Sequence, residues 1–403
     1  MSIFKYIIII LGIYAYLFNP LLSVFGGMGL CKILYFFAFV YILAEYKSFR
    51  RSLLVFKKEF SLLALLIIFV LLRTLIGGDS VILYTRIILL IESFIIPLAF
   101  AVYWTKQKQG EGQLIKCILI VSSVAAIIST LCVVNPSFGY YVRNELQISS
   151  DYIIGHEFRG FGVSDSLLSS YGYIQGACFA LAYKYIKQYK WVIIFMPFIL
   201  FSSFVNARTG LIIAVIGLLI VWFSNRSIKS GIALTFFVAA LIYFVPFFMN
   251  IINPSERTVD FMKDFFEQMA SPGENTTVAT LNNGFKLPSD VDEWFIGQGI
   301  DIFQADVNKR SDVGYSIQLN YGGICYLLIL YGLIFVILKK MYRYKIDSFF
   351  PLFFAASLLL LNYKANILSN SGFFRMVMMV YFVLMLSHRK FIDKNHYKTQ
   401  LLK

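Results

Sequence analysis

Apolar residues in this chain arrive in long unbroken runs, not in the alternation of half-buried strands. The runs cover 6–22, 29–43, 60–77, 81–104, 114–134, 166–183, 191–205, 211–223, 231–249, 316–338, 349–361 and 373–386. A bilayer core of about 30 Å takes roughly 20 apolar residues per helix. Runs of this length predict membrane-spanning helices and exclude an outer-membrane barrel, whose strands alternate over about ten residues. The pattern predicts an all-α polytopic membrane protein with about 12 transmembrane helices, forming one domain over residues 1–403.

Two connections between runs are long, 135–165 and 250–315. The second opens with Asn253-Pro254-Ser255-Glu256, a helix start with an Asn cap, Pro in the first turn and Glu three residues after the cap. Val259, Met262, Phe265, Phe266 and Met269 then repeat at helical spacing until Ser271-Pro272-Gly273 stops the helix. A partly helical loop between spans nine and ten follows, lying on the membrane or capping the bundle. Trp294-Phe295-Ile296-Gly297-Gln298-Gly299-Ile300 is expected to dip back toward the membrane.

Composition agrees: of 403 residues 59% are hydrophobic and 14% charged, against nearer half and a quarter in soluble domains. A net charge of +14 raises nucleic acid as a partner, but its distribution argues against it. Clusters after every even-numbered run, with Lys5, hold 23 of the 36 basic residues and only five of the 22 acidic ones. Positive residues concentrate on the cytoplasmic side, so both termini are expected there, with 135–165, 250–315 and Arg208 outside. The first run lacks an A-x-A cleavage site and reads as a signal-anchor helix. Cys31, Cys117, Cys132, Cys178 and Cys325 lie in or beside apolar runs without pairing or metal-site spacing, and read as small buried side chains.

Charge inside a membrane costs at least about 2.5–3.5 kcal/mol, so each instance needs a reason. Arg208 stands on a cramped turn between the runs 191–205 and 211–223. Arg73, Arg86, Lys364 and Arg375 share its expected boundary. Such side chains snorkel into headgroups one at a time; five on the side that basic residues avoid also suit a polyanion, because guanidinium matches phosphate oxygens with paired hydrogen bonds. Arg143 and Arg159, on the first long loop, are placed to close over it. For proton transfer the candidates are Asp312, where the large loop re-enters, and His156; their ordinary roles are a helix-start carboxylate and a solvated loop histidine. Glu92 lies near mid-membrane on a different helix face from Arg86 and leaves an ion-coupled transporter open. HExxH, CxxC, Walker and GxSxG patterns are absent, so metalloprotease, ATPase and serine-hydrolase chemistry has no support, and no metal or cofactor is expected.

In order along the chain, Arg159-Gly160-Phe161-Gly162, Asn206-Ala207-Arg208-Thr209-Gly210-Leu211, Gly297-Gln298-Gly299-Ile300, Ser311-Asp312-Val313-Gly314-Tyr315 with Gly322-Gly323-Ile324, and Lys364 through Ser371 to Arg375 resemble segments of bacterial O-antigen polymerases and ligases. Ala207 stands where that family usually has Ser. Ser311-Asp312, where ligases carry a His-Asn pair, makes the chain more similar to the polymerases.

The resemblance implies a metal-independent glycosyltransferase of the bacterial inner membrane. It joins undecaprenyl-pyrophosphate-linked repeat units at the periplasmic face in lipopolysaccharide biosynthesis, alongside a chain-length regulator and a flippase. In that reading Arg208 is the central pyrophosphate ligand, supported by Arg86, Arg375, Lys364 and Arg73; Arg143 and Arg159 hold glycan or the second phosphate; Asp312, then His156, is the base. The alternatives are an O-antigen ligase and a lipid-linked oligosaccharide flippase. A flippase calls for charge reachable from both sides and two related halves, which the sequence lacks.

Overall fold

The computed structural model describes residues 2–146, 160–164, 169–225, 285–303, 311–364, 366, 368 and 371–401. Among these residues the regular structure is helical, with no β-strand. Three helical stretches are long and apolar enough to cross a membrane: Ser80–Lys106, Glu111–Val134 and Gly314–Arg343. Shorter apolar helices accompany them, Ile3–Phe18, Leu30–Ala44, Val192–Asn206 and Phe349–Lys364 among them. Phe36, Phe39, Ile68, Leu72, Leu328 and Phe335 are exposed, a surface that lipid solvates and water does not. The run 231–249 and the helix expected after Asn253 lie outside the described residues.

The chain divides into two units, Met1–Leu34 with Gly112–Asn275 and Tyr35–Glu111 with Thr276–Lys403. In the first, α1 (Ile3–Phe18) is followed across the sequence by α7 (Glu111–Val134), α8 (Pro136–Tyr141), α9 (Ser169–Lys184), α10 (Val192–Asn206) and α11 (Arg208–Asn225). Small residues let α9 lie close to α10 and α11: a Cβ on Gly176 would fall on the Gly210 carbonyl group, and one on Gly172 on Ala207. Such contacts favour helix association where no hydrophobic force operates between helices. Polar side chains add ties, Ser203 Oγ to Gly172 O at 2.8 Å and Ser122 Oγ to Gln175 Oε1 at 2.6 Å.

The second unit takes in α3 (Tyr46–Val55), α4 (Lys57–Leu75), α5 (Ser80–Leu89) and α6 (Ile96–Lys106), then α12 (Val291–Ile296), α13 (Gly314–Arg343), α14 (Phe349–Lys364) and α15 (Gly372–Leu401), while α2 (Leu30–Ala44) straddles the division. The basic stretch carrying Lys47, Arg50 and Arg51, read only as a charged connection, folds as α3. The run 81–104 is not one regular helix, since a π-helical turn, Leu90–Ile95, separates α5 from α6. Asp79 caps the start, its side chain accepting from Val81 N–H at 2.9 Å. Turns of this kind recur at functional sites.

Candidate functional site

Within the second unit, α13 is two helices joined at Gly323, where φ 63° and ψ −162° leave the helical region. Only glycine adopts that backbone without strain. Space forbids a side chain as well, because a Cβ there would fall on the Phe295 carbonyl group of α12. A broken helix frees backbone carbonyls that lipid cannot satisfy. Here the Gly297-Gln298-Gly299 turn satisfies two of them, Gln298 N–H donating to Asn320 O at 2.6 Å and Gly299 N–H to Tyr321 O at 2.9 Å. Gly297 and Gly299 both have positive φ, 71° and 78°. The two glycine motifs are thus one object, a turn docked on a helix break.

Two arginines flank it. Arg73, in the last turn of α4, donates from Nη2 to Gly297 O at 2.9 Å. Arg86, 1% exposed, donates from Nη1 to Leu368 O at 2.6 Å and lies 5.4 Å from the ring centre of Tyr326. A cation over a ring out of water gains about 2 kcal/mol. Both charges act on the Tyr321 phenol. Among the described residues Arg73 Nε and Arg86 Nε are buried without a hydrogen-bond partner, while the Tyr321 hydroxyl is paired with Thr74 and the Tyr326 hydroxyl with the Arg86 side chain. An orphaned buried donor costs about 1–3 kcal/mol, so two charged ones beside one turn ask for a ligand.

A carboxylate completes the group. Asp301 follows the turn and is 9% exposed, its Oδ1 accepting from Phe303 N–H at 3.1 Å. Asp79 N–H donates to Gly299 O at 2.8 Å and Ser311 N–H to Ile302 O at 3.2 Å, fixing the segment on both sides. Burial first, and the Asp79 charge after it, push the Asp301 carboxyl above the usual carboxylate range, against the Phe303 N–H and the Arg86 guanidinium. In contrast, Glu293 of α12 is held below that range, chiefly by the Gln298 side-chain hydrogen bond.

The other expected cations of this unit have separate settings. Arg375 Nη1 bonds Glu92 Oε2 at 2.8 Å, with both groups buried, and the Tyr35 hydroxyl donates to Glu92 Oε1. The expected pyrophosphate ligand is therefore ion-paired to the acid that had suggested transport. Lys364, half-buried at the end of α14, feels the charge of Asp312. Asp312 is exposed just ahead of α13. An amide network joins α13 to α14: Gln318 Nε2 donates to Asn362 Oδ1 and Asn366 Oδ1, both at 2.9 Å, and Asn362 Nδ2 to the Tyr331 oxygen at 2.6 Å.

In the first unit Arg208 is the first residue of α11, directly after Ala207, whose extended backbone (φ −157°, ψ 113°) separates α10 from α11. Asn206, fully buried, fastens this turn to the glycine segment of the first long loop, donating to Gly160 O at 3.0 Å, Ser129 Oγ at 3.1 Å and Ser202 O at 2.7 Å. The neighbours in sequence of Arg208 and Arg159 are thereby tied together. Arg143 is half-buried in a π-helical turn, Val142–Leu146. Arg159 and His156 lie outside the described residues.

Asp301 and Tyr326 had escaped the reading of the sequence. Nothing marks an aspartate in a polar loop; the only available signal was its position two residues beyond a Gly-x-Gly turn. The chain matches no protein-family model, no curated protein and no solved structure.

Proposed function

We propose that this chain is an O-antigen polymerase, transferring a growing glycan from its undecaprenyl pyrophosphate carrier to a sugar hydroxyl of the next lipid-linked repeat unit at the periplasmic face of the inner membrane. The observation that carries the reading is Arg86: a fully buried guanidinium beside a helix break, with Nε lacking a partner among the described residues. In the reaction the bond between the anomeric carbon and the pyrophosphate oxygen breaks, and negative charge builds on the leaving oxygen. A fixed guanidinium in a water-poor site stabilises that charge without reorganising; one such donor is worth roughly 2.7–4 kcal/mol. Arg73, beside the same turn, serves the second phosphate. Arg208 is assigned to the carrier pyrophosphate by the order of motifs around it. Transporters also use broken helices near the membrane centre, but Glu92, the acid such a device would use, is held by Arg375 and Tyr35.

The decisive measurement is glycan profiling of a deletion strain complemented with wild type, Arg86→Ala or Arg208→Ala. Single repeat units on lipid A, restored to long chains by wild type and by neither variant, are the expected result. Unmodified lipid A with polymer still on the carrier would make the chain a ligase, and units trapped on the inner leaflet a flippase. A normal ladder from both variants would remove the arginines from the chemistry.

A further inference from the structure

The polymerase reading leaves one atom without a destination, the proton of the attacking hydroxyl. Resting on that reading, we infer that Asp301 is the group that takes it. In the step, the acceptor hydroxyl oxygen bonds to the donor's anomeric carbon as its proton passes to an Asp301 carboxylate oxygen. The bond from that carbon to the pyrophosphate oxygen breaks, and its electron pair leaves with the phosphate beside Arg86. Asp301 then returns the proton to water, and no oxidant, reductant or metal enters the balance.

Three observations single out this carboxylate. It is almost fully buried, yet the Phe303 N–H, the Asp79–Gly299 bond and the Ser311–Ile302 bond hold its segment in place, so its position is fixed before substrate arrives. The bond from Asp79 N–H to Gly299 O joins its segment to the start of α5, the helix that carries Arg86, and the Arg86 charge acts on the carboxylate, so proton acceptor and anion ligand belong to one site. By comparison, Asp312, the carboxylate expected as base from the sequence, is exposed and feels the Lys364 charge.

The charged and titratable groups that act on Asp301 are Asp79 at the start of α5, Arg86 on α5 and Tyr326 on α13. Burial raises its proton affinity, which suits a base working near neutral pH better than an ordinary aspartate. Pyrophosphate binding at Arg86 would add negative charge nearby and raise that affinity further, timing proton uptake to the loaded site.

The test uses the full chain in vesicles of phosphatidylethanolamine and phosphatidylglycerol, supplied with undecaprenyl-pyrophosphate-linked repeat units extracted from the deletion strain. Initial polymerisation rate is followed against pH for wild type, Asp301→Asn, Asp301→Glu and Asp312→Asn, with thermal unfolding measured alongside. Asp301→Asn should lower the rate roughly 10²- to 10⁴-fold, while its melting temperature at neutral pH stays at or above that of wild type. Asp301→Glu, which keeps a carboxylate, should retain a measurable rate with a displaced acidic limb. An active wild type with Asp301→Asn within about threefold of it would overturn the assignment and leave the polymerase reading standing. Loss of rate and stability together in both Asp301 variants would make the residue structural, and an inactive Asp312→Asn beside an active Asp301→Asn would return the role to Asp312. Absence of polymer with wild type would remove the polymerase reading, and this assignment with it.

Discussion

Charges in apolar surroundings dominate this protein's residue-scale physics, and they fall into two kinds. Glu92 with Arg375 is a buried pair at 2.8 Å, and Glu59, buried, pairs with the part-buried Lys340 at 2.7 Å, joined by the Tyr381 hydroxyl. Removing one partner of such a pair strands the other, at about 3–5 kcal/mol. Glu92→Gln should therefore lower the unfolding midpoint in detergent markedly, and Glu92→Leu combined with Arg375→Met should recover most of the loss. Arg86 is the second kind, a buried cation with a donor to spare. Arg86→Lys keeps the charge but loses the planar fork, and is expected to leave polymer length close to that of Arg86→Ala in the same glycan profile. These arginines stood out in the sequence because a membrane makes any charge conspicuous. Asp301 stood in a polar loop, where an acid is ordinary; tertiary contacts bury it, and no local pattern records that. Its titration has a definite sign. A carboxyl whose folded pKa lies above its unfolded value of about 3.9 binds protons more tightly when folded, so stability is greatest below that value and falls as pH rises toward the folded pKa. Comparing the pH dependence of unfolding in wild type and Asp301→Asn isolates this contribution: only wild type should lose stability over that window.

For the elements, the hydrophobic runs were legible and their interruptions were not. Eleven of the twelve expected runs coincide with helices, and the remaining one lies outside the described residues. The break at Gly323 and the π-helical turn at Leu90–Ile95 left weaker traces. Membrane helices tolerate glycine, so Gly322-Gly323 did not announce a break; its position is decided by the Gly-x-Gly turn, 24 residues earlier in the case of Gly299. Gly323→Ala, with a Cβ on the Phe295 backbone and φ at 63°, should destabilise by more than about 1 kcal/mol. Gly12→Ala is the comparison: its Cβ meets nothing within 4 Å and its φ is ordinary, so thermal unfolding of that variant should match or slightly exceed wild type.

At the scale of the molecule, helical class and membrane character followed from length and composition, whereas the division into two interleaved units did not. Each unit draws on segments far apart in the chain, 35–111 with 276–403 in one case. Hydropathy is blind to which helices become neighbours. The same limit explains why five cations expected at one boundary resolve into different settings: Arg73 and Arg86 at the break, Arg375 on Glu92, Lys364 by Asp312, and Arg208 in the other unit.

The broken helix also sets an order of events during synthesis. Its second part, 324–343, has about 20 residues and spans roughly 30 Å, enough to cross a bilayer by itself. Its first part, 314–322, reaches only about 14 Å and carries Gln318 and Asn320. Asn320 finds its acceptor, Lys286 O at 2.9 Å, in chain already made. Gln318 finds Asn362 and Asn366 only after another forty-odd residues have left the ribosome. The short segment must therefore wait, half-satisfied, beside a crossing that is already complete. A released chain truncated after Arg343 should leave Gln318→Cys open to water-soluble maleimide, and the full chain should protect it. Closure of the Gln318–Asn362–Asn366 network would then be one of the last steps of folding.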